Sequence, residues 1–287
     1  MGAILDGKVV STALKEGIKS KCEILLNKYS LKPALAIIMV GDNPASQVYV
    51  SSKERACEYV GIRSIVVKMD ASAKQEEVIS EINKLCADKS VHGVMVQLPL
   101  PAGLDEKQIL SHITAEKDVD GLTSDSMGKL LLGDEGFVCC TPKGIIEILK
   151  HYNIDFVGKH AVVIGRSNMV GKPVALKLLQ ENCTVTVCHS KTVDIKNITL
   201  QADILVVAVG KKHFVTADMV KPGAVVVDVG INRVNGKLYG DVHFDSVIEK
   251  ASYVTPVPGG VGLMTVTMLL DNTVEACLKQ NGLKNEF

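Results

Sequence analysis

Short apolar runs alternate with longer amphipathic segments along most of this chain, and this alternation most constrains its fold. The apolar runs are continuous rather than alternately polar, and Gly, Pro or Asp residues bound them. Such runs are typical of strands that are buried on both faces of a parallel sheet and joined by helices. The sequence therefore predicts an α/β fold with parallel sheets.

This pattern predicts seven strands and six helices. The strands are expected at residues 34–40, 64–68, 93–97, 161–164, 184–187, 204–209 and 224–229. The helices are expected at residues 9–27, 45–60, 75–87, 142–151, 171–181 and 261–278. A segment rich in turn residues, 118–142, separates the first three strands from the other four.

Two domains are expected, because 287 residues are about twice the usual domain size. We predict a first α/β domain over residues 1–140 and a second over 141–262. The C-terminal helix, at about 263–287, is expected to pack back on the first domain. Because α/β proteins with two domains commonly bind ligands between them, we expect the active site in that cleft.

The charge balance argues against nucleic acid and membrane partners. Basic and acidic residues both number 32, so no overall basic field attracts either partner. Aromatic residues are only 4% of the chain, too few for a base-stacking platform. The longest apolar runs are far below the roughly 18 residues that a membrane-spanning helix needs.

The eight cysteines and seven histidines show no metal-binding spacing, so no metal site is predicted. Scattered cysteines in apolar segments indicate free thiols in a reducing compartment. The first residues also lack the features of a secretory signal. We therefore expect a cytoplasmic protein.

A glycine turn follows the predicted strand at 161–164. Gly165 ends the strand and Gly171 begins a helix, whose amides and dipole favour phosphate. The loop is not a Walker A motif, because five residues separate the glycines and Pro173 follows Lys172 where Ser or Thr is required. An ordinary connection from strand to helix would show the same pattern.

The end of the next strand favours NADP over NAD. An NAD-binding unit places an acidic residue there, whereas this chain has Ser190 and Lys191. With Arg166 nearby, these groups suit a ribose 2′-phosphate. His189 is assigned as a neighbour of that phosphate, although an isolated histidine is more often an ordinary surface residue.

One helix is predicted to carry an inward-pointing lysine. At helical spacing, residues 45, 46, 49, 52, 53, 56, 57 and 60 share a face. Tyr49 and Lys53 are four residues apart on it, so a ring and an amine can reach the same ligand. Partial withdrawal from water lowers the pKa of an amine and allows proton exchange near neutral pH. The alternative is a lysine whose head group simply reaches water from the rim of a buried face.

Two further polar groups lie where ligand-binding residues are expected. Gln97 ends the third predicted strand, and carboxyl ends of strands present ligand-binding groups in open α/β sheets. Asp118 and Asp120 lie in a glycine turn, where aspartate is usually structural.

These segments together resemble the bifunctional methylenetetrahydrofolate dehydrogenase/cyclohydrolase family along essentially the whole chain. The matching stretches are 40–46 with Tyr49 and Lys53, 97–101, 117–121, 165–167 with 170–173, and 255–262. Each stretch is weak alone, but five in order over about 220 residues are highly specific.

The resemblance implies an enzyme of one-carbon metabolism that supports purine, histidine and methionine biosynthesis. Such an enzyme oxidises 5,10-methylenetetrahydrofolate with NADP to the methenyl cation and hydrolyses that cation to 10-formyltetrahydrofolate. The first domain would be the catalytic, folate-binding domain and the second a Rossmann-like NADP domain. A homodimer is also implied.

The resemblance also implies roles for individual residues. Lys53 would be the general acid/base, Gln97 its hydrogen-bond partner, Tyr49 the ring stacked on the aminobenzoate and Asp120 the group that binds the pterin. Further substrate contacts would come from Ser46, Leu98, Pro99, Pro258, Gly259 and Thr265. NADP contacts would come from Gly165, Arg166, Ser167, Gly171, Pro173, His189, Ser190 and Ile231.

Two positions depart from the family pattern, since Leu263 and Cys139 stand where proline is usual. Both are apolar or backbone positions, so they affect fine positioning rather than function. Two alternatives remain at this point: a dehydrogenase without hydrolase activity, and a non-catalytic protein that binds folate or nucleotide. The presence of Lys53 and the glycine loop argues against the second alternative.

Overall fold

The computed structural model describes residues 1–284. Its strands are β1 (Ala3–Ile4), β2 (Ala34–Val40), β3 (Arg63–Met69), β4 (Gly93–Val96), β5 (His160–Ile164), β6 (Thr184–Cys188), β7 (Ile204–Val207), β8 (Val225–Asp228), β9 (Asn232–Val234), β10 (Lys237–Tyr239) and β11 (Tyr253–Val254). Its α-helices are α1 (Gly7–Tyr29), α2 (Pro44–Val60), α3 (Gln75–Ala87), α4 (Glu106–Leu110), α5 (Ser124–Leu132), α6 (Cys140–His151), α7 (Gly171–Gln180), α8 (Ile195–Thr199), α9 (Phe244–Val247) and α10 (Gly262–Gln280).

The chain divides into two compact units. Of the described residues, 13–138 and 266–284 form what we name the three-stranded unit, and 1–12 and 139–265 form the six-stranded unit. The sequence placed residues 1–12 in the first domain. They group with the second unit instead, because β1 pairs in parallel with β11.

The three-stranded unit is built on a parallel sheet with the order β3-β2-β4. Every residue of the central strand β2 is buried, and its Ile37 pairs with Val66 on one side and Met95 on the other. One face of the sheet packs on Val78 and Ile82 of α3. Burial on both faces explains why β2 is continuously apolar.

The six-stranded unit contains a parallel sheet with the order β1-β11-β8-β7-β5-β6. Its register aligns the ends of four neighbouring strands, because Ile164 pairs with both Cys188 and Val207, and Val207 pairs with Asp228. The loops that follow β5, β6, β7 and β8 therefore leave the sheet along one edge. An antiparallel hairpin, β9-β10, follows β8.

All seven predicted strands and all six predicted helices are present, and the predicted α/β class is confirmed. Two differences from the prediction have physical causes. The strand predicted to reach residue 209 ends at Val207. The Ala208 amide still donates to the Ile164 carbonyl of β5, but the amides of Val209 and Gly210 donate to a carboxylate instead of a strand. The segment 118–142 was predicted as turns but contains α5, which Thr123 caps by accepting from the Ser126 amide. The hairpin and the two short strands β1 and β11 were not predicted.

Within residues 1–284, no helix is both long and apolar enough to cross a membrane. The same residues contain no group of three or more His, Cys, Asp or Glu side chains that could hold a metal ion.

Candidate active site

Helix α2 places Lys53, and its ends are encoded locally. The Asn43 side chain accepts hydrogen bonds from the amides of Ala45 and Ser46, at 2.9 and 3.2 Å, while Pro44 begins the first turn. Gly61 ends the helix in the left-handed conformation. These are favourable choices for the two ends, so the orientation of the helix faces is well defined.

The buried face of α2 differs from the predicted one. Ser46, Val50, Cys57 and Val60 are buried, whereas Tyr49, predicted on this face, is 56% exposed. The predicted positions Ala45 and Ser52 are also exposed. The predicted face is therefore rotated relative to the buried face, because it included Tyr49 and Ser52 and omitted Val50.

Lys53 lies at the boundary of that face and is half-buried. Its Nζ donates a hydrogen bond of 2.7 Å to Oε1 of Gln97, which follows β4 and is itself buried. The other end of the Gln97 amide donates to the carbonyl of Leu98, also at 2.7 Å. This second bond fixes which end of the amide faces the lysine, so Gln97 presents an acceptor to Nζ.

The other residues of this unit that were predicted to contact substrate lie near Lys53 or Gln97 in the sequence. Ser46 is buried in the first turn of α2. Leu98 is half-buried and Pro99 is exposed, both directly after Gln97. The structure thus unites Lys53 with Gln97 and places Tyr49 on the exposed part of the same helix.

The two carboxylates of the glycine turn have different surroundings. Asp118 is buried and accepts hydrogen bonds at the start of α5, from the Leu122 and Thr123 amides and the Ser126 hydroxyl. Asp120 is half-buried two residues later. The structural role that the sequence suggested for aspartate in this turn therefore applies to Asp118.

Two buried residues that the sequence analysis missed fix this turn. Lys117 donates to the carbonyls of Leu85 and Asp88 at the end of α3, and burial lowers the pKa of its ammonium group. Asn272 of α10 donates to the Val119 carbonyl at 2.8 Å. No local pattern signals Asn272, because its partner lies 153 residues away.

In the six-stranded unit, the loop after β5 begins with a glycine that packs directly against the end of the neighbouring strand β7. Gly165 has φ +128°, and a Cβ there would lie 2.2 Å from the Ala208 carbonyl oxygen. Only glycine can occupy this position, because the backbone of Ala208 fills the space where a side chain would stand. The Ser167 hydroxyl accepts from the amides of Val170 and Gly171, at 3.2 and 3.3 Å. Two of the amides that were expected to favour phosphate therefore donate to Ser167 instead, and the Ser167 hydroxyl can still donate its own proton.

Arg166 and Ser190 follow neighbouring strand ends. Each lies two residues beyond the paired residues Ile164 and Cys188, and both are exposed. His189 has a local role, since its Nδ1 accepts from the Lys191 amide at 3.2 Å. A guanidinium and a hydroxyl at the same sheet edge form a suitable site for a phosphate group.

The remaining predicted residues of this unit are placed as follows. Pro173 is buried at the third position of α7, and Ile231 is 57% exposed beyond β8. Pro258 is exposed and Gly259 has φ +108°. The Thr265 hydroxyl lies 2.9 Å from that of Thr141.

Together, the glycine-lined sheet edge and the separate lysine and glutamine pair define an α/β enzyme with a dinucleotide-binding unit. The model of the tetrahydrofolate dehydrogenase/cyclohydrolase catalytic domain matches residues 5–120, and that of the NAD(P)-binding domain of the same family matches residues 139–281. The chain belongs to the tetrahydrofolate dehydrogenase/cyclohydrolase family.

Individual relatives agree with this assignment. The bifunctional protein FolD of Agathobacter rectalis is 52% identical over 96% of this chain and 99% of its own. The crystal structure of bifunctional FolD from Campylobacter jejuni is 50% identical, with a TM-score of 0.95 over 97% of this chain and 99% of its own. The Trypanosoma brucei FolD, solved with NADP cofactor and inhibitor, is 37% identical, with a TM-score of 0.92 over 98% of both chains.

These matches confirm the family that the motifs implied. The protein is a bifunctional dehydrogenase and cyclohydrolase that acts on tetrahydrofolate derivatives with NADP as its cofactor.

Proposed function

We propose that Lys53 is the proton-transfer group of the cyclohydrolase reaction and that Gln97 positions it. The observation that carries this proposal is the 2.7 Å hydrogen bond from Lys53 Nζ to Gln97 Oε1. Because Lys53 is half-buried and its Nζ donates to a fixed acceptor, the position of the amine is defined. Proton transfer needs such positioning, because donor and acceptor must come within hydrogen-bond distance.

In the hydrolysis, water attacks the bridging carbon of the methenyl cation. The attacking water loses a proton, and the C–N bond to one ring nitrogen breaks, so that this nitrogen finally accepts a proton. Lys53 takes the first proton when neutral and returns one when charged. The neutral amide of Gln97 can accept a hydrogen bond from either form, so it holds the side chain through the whole cycle.

The dehydrogenation depends mainly on alignment. NADP supplies the hydride acceptor when it is bound. Nitrogen atoms beside the reacting carbon stabilise the positive charge that develops, so the reaction does not require a protein base. We assign Tyr49 to orient the folate by stacking on its aminobenzoate ring and Asp120 to bind the pterin, because both side chains are at least partly open to solvent.

We assign the NADP site to the edge of the six-stranded sheet that holds the glycine loop. Arg166 and Ser190 would bind the 2′-phosphate, because they follow adjacent paired strands and no acidic residue replaces Ser190. Ser167 would offer its hydroxyl proton to the pyrophosphate.

One assay separates the bifunctional enzyme from a dehydrogenase alone. Purified protein is supplied with 5,10-methylenetetrahydrofolate and NADP while the absorbances of reduced nicotinamide and of the methenyl cation are followed together. We expect the nicotinamide signal to rise while the methenyl signal stays low, since the cation is hydrolysed as it forms. Equal accumulation of both signals would show that the protein has no cyclohydrolase activity. No change in either signal would show that it binds its ligands without catalysing either reaction.

We also propose a cytoplasmic homodimer. The dimer rests on the family resemblance, and light scattering on the eluting protein tests it: the mass of one chain would contradict it. The cytoplasmic location is supported by the buried free thiols of Cys22, Cys57 and Cys277, which suit a reducing compartment. Cell fractionation tests it, and recovery outside the cytoplasmic fraction would contradict it.

A further inference from the structure

Two buried carboxylates lie beyond the strand ends of the six-stranded sheet, and no role has been assigned to them above. Asp228 is the last residue of β8 and is 3% exposed. Asp241 follows the β9-β10 hairpin and is fully buried. Burying a carboxylate is costly unless its oxygens are hydrogen-bonded, so their partners show what the two groups stabilise.

Asp241 binds three consecutive amides of the loop that follows β7. Its Oδ2 accepts from Val209 and Gly210, at 2.7 and 2.9 Å, and its Oδ1 accepts from Lys211 at 2.8 Å. Oδ1 also accepts from Nδ2 of Asn232 at 2.8 Å. Four donors satisfy the capacity of a carboxylate, and they join the loop after β7 to the start of the hairpin.

Asp228 holds the segment that carries Asp241. Its Oδ1 accepts from the amides of Gly230 and Asp241, and its Oδ2 accepts from that of Val242, each at 2.9 Å. The backbone on both sides is packed directly against the carboxylates. A Cβ at Gly240 would lie 1.8 Å from the Asp228 carboxylate, and one at Gly230 would lie 2.2 Å from that of Asp241.

Together, the two carboxylates fix two loops at the sheet edge that we assign to NADP. These loops are residues 209–211 after β7 and residues 230–232 after β8. Ile231, an assigned NADP contact, lies between Gly230, which is bonded to Asp228, and Asn232, which is bonded to Asp241. The residues on both sides of exposed Ile231 are therefore each hydrogen-bonded to a buried carboxylate.

The order of the strands indicates which half of NADP lies near these loops. β5, with the glycine loop, pairs with β6 on one side and with β7 on the other. The chain order of the strands therefore reverses at β5. A dinucleotide binds across such a reversal, with one half on each side of it. The β6 side carries Ser190, the group assigned to the 2′-phosphate of the adenosine half. The loops after β7 and β8 therefore lie on the side of the nicotinamide half.

We propose that Asp241, supported by Asp228, is a positioning residue for the nicotinamide half of NADP. It holds loops 209–211 and 230–232 in the conformation that receives this half, without touching the cofactor itself. The inference rests on the proposed placement of NADP at this edge.

A half-ligand separates positioning from general stability. Asp241→Asn keeps the size of the side chain but turns an NH₂ group toward amide donors. We expect this variant to bind NADP at least tenfold more weakly by calorimetry. Adenosine 2′,5′-bisphosphate, which lacks the nicotinamide half, should bind within about twofold of the wild-type affinity. Equal weakening of both ligands, or no weakening of NADP, would overturn the proposal.

Asp203→Asn is the matched control on the opposite edge of the same sheet. One oxygen of Asp203 accepts from the His160 amide and the other from the Lys221 ammonium group, so this variant also replaces a carboxylate that binds a backbone amide. We expect it to bind both ligands as the wild type does. Selective loss of NADP affinity in this control would show that any weakening of the sheet has the same effect, and would overturn the proposal.

A milder variant covers the case in which Asp241→Asn does not fold. Asn232→Ala removes one of the four donors to Asp241, and we expect NADP affinity to fall about two- to fivefold with the half-ligand unaffected. Unchanged NADP affinity in this variant would overturn the proposal. A wild-type protein that binds NADP but not adenosine 2′,5′-bisphosphate would instead contradict the placement of the 2′-phosphate, and with it the proposed NADP site.

Discussion

The ammonium group of Lys53 lies 2.7 Å from Oε1 of Gln97, although 44 residues separate the two in sequence. One residue comes from the middle of α2 and the other from the end of β4, so the parallel sheet brings them together. The pair depends on the orientation of the Gln97 amide, which its bond to the Leu98 carbonyl fixes.

Gln97→Glu should slow hydrolysis by keeping Lys53 charged. A carboxylate beside the amine favours the ammonium form, which cannot take a proton from water. We expect the cyclohydrolase rate at pH 7 to fall about tenfold or more and its pH profile to move toward higher pH. Gln108→Glu adds the same charge on the exposed surface of α4 and serves as the control. An unchanged profile would show that the Gln97 amide does not govern the lysine.

Asp120→Asn should weaken folate binding. The substitution replaces a carboxylate that can accept two N–H bonds with an amide that cannot, and losing a hydrogen bond to a charged group costs about 1.5–3 kcal/mol. We therefore expect a roughly tenfold or greater loss of folate affinity in a binding titration, with NADP affinity nearly unchanged. Equal loss of both affinities would mean that Asp120 maintains the fold instead.

Asp118→Asn provides the structural comparison. It replaces one of the two buried oxygens that accept from the Leu122 and Thr123 amides and the Ser126 hydroxyl with an NH₂ group that cannot accept, so we expect a lower melting temperature. A variant that melts as the wild type does would contradict the role assigned to Asp118.

Arg166→Ala should weaken NADP much more than NAD. A charge-assisted bond to the 2′-phosphate is worth about 1.5–3 kcal/mol, or roughly ten- to a hundredfold in affinity. The ratio of the two dissociation constants measures this effect independently of protein stability. Lys196→Ala removes an exposed cation of the same unit that is paired with Asp218, and it should leave the ratio unchanged. If Arg166→Ala weakens both cofactors equally, the arginine binds the pyrophosphate rather than the 2′-phosphate.

Asp228 should make a stability contribution that depends on pH. Burial raises the pKa of this carboxyl from 3.8 to about 6, against the lowering effect of its three backbone hydrogen bonds. The folded protein therefore binds more protons than the unfolded chain between about pH 4 and 6. The contribution of Asp228 to the free energy of unfolding is therefore fully present below about pH 4 and is lost as the pH rises through 6.

Asp228→Asn isolates this contribution, because asparagine does not titrate. We expect the unfolding free energy of the wild type, relative to the variant, to rise by about 2–3 kcal/mol as the pH falls from 7 to 4. Chemical denaturation at several pH values measures the difference, in which the other titrating groups cancel. A flat difference, or one that grows toward pH 7, would contradict the pKa shift.

The main elements of the fold could be predicted because each carries a local signal. Strand β2 is continuously apolar, and α7 follows a glycine turn. By contrast, β1 forms only through pairing with β11, about 250 residues away, and two residues are too few to show a pattern. The β9-β10 hairpin did carry a signal, since Asn235 and Gly236 join its strands.

The candidate site could be predicted where function leaves a motif. The motifs singled out Lys53, Gln97 and the glycine loop, and the predicted contact between Lys53 and Gln97 is present in the structure. Asp228 and Asp241 were missed, because their roles depend on amides from three separate segments. The exposure of Tyr49 was missed as well, because the predicted helix face omitted Val50, which in the structure lies buried beside it.

The central claim, that Lys53 transfers protons in the hydrolysis, is tested most directly by Lys53→Met. The substitution keeps the length of the side chain and removes its amine. Arg55→Met, two residues along α2 on an exposed position, is the matched control. With the methenyl cation as substrate and the spontaneous rate subtracted, we expect the Lys53→Met protein to lose at least 99% of cyclohydrolase activity and to keep its melting temperature. The control should hydrolyse as the wild type does, and full activity of a folded Lys53→Met protein would contradict the account.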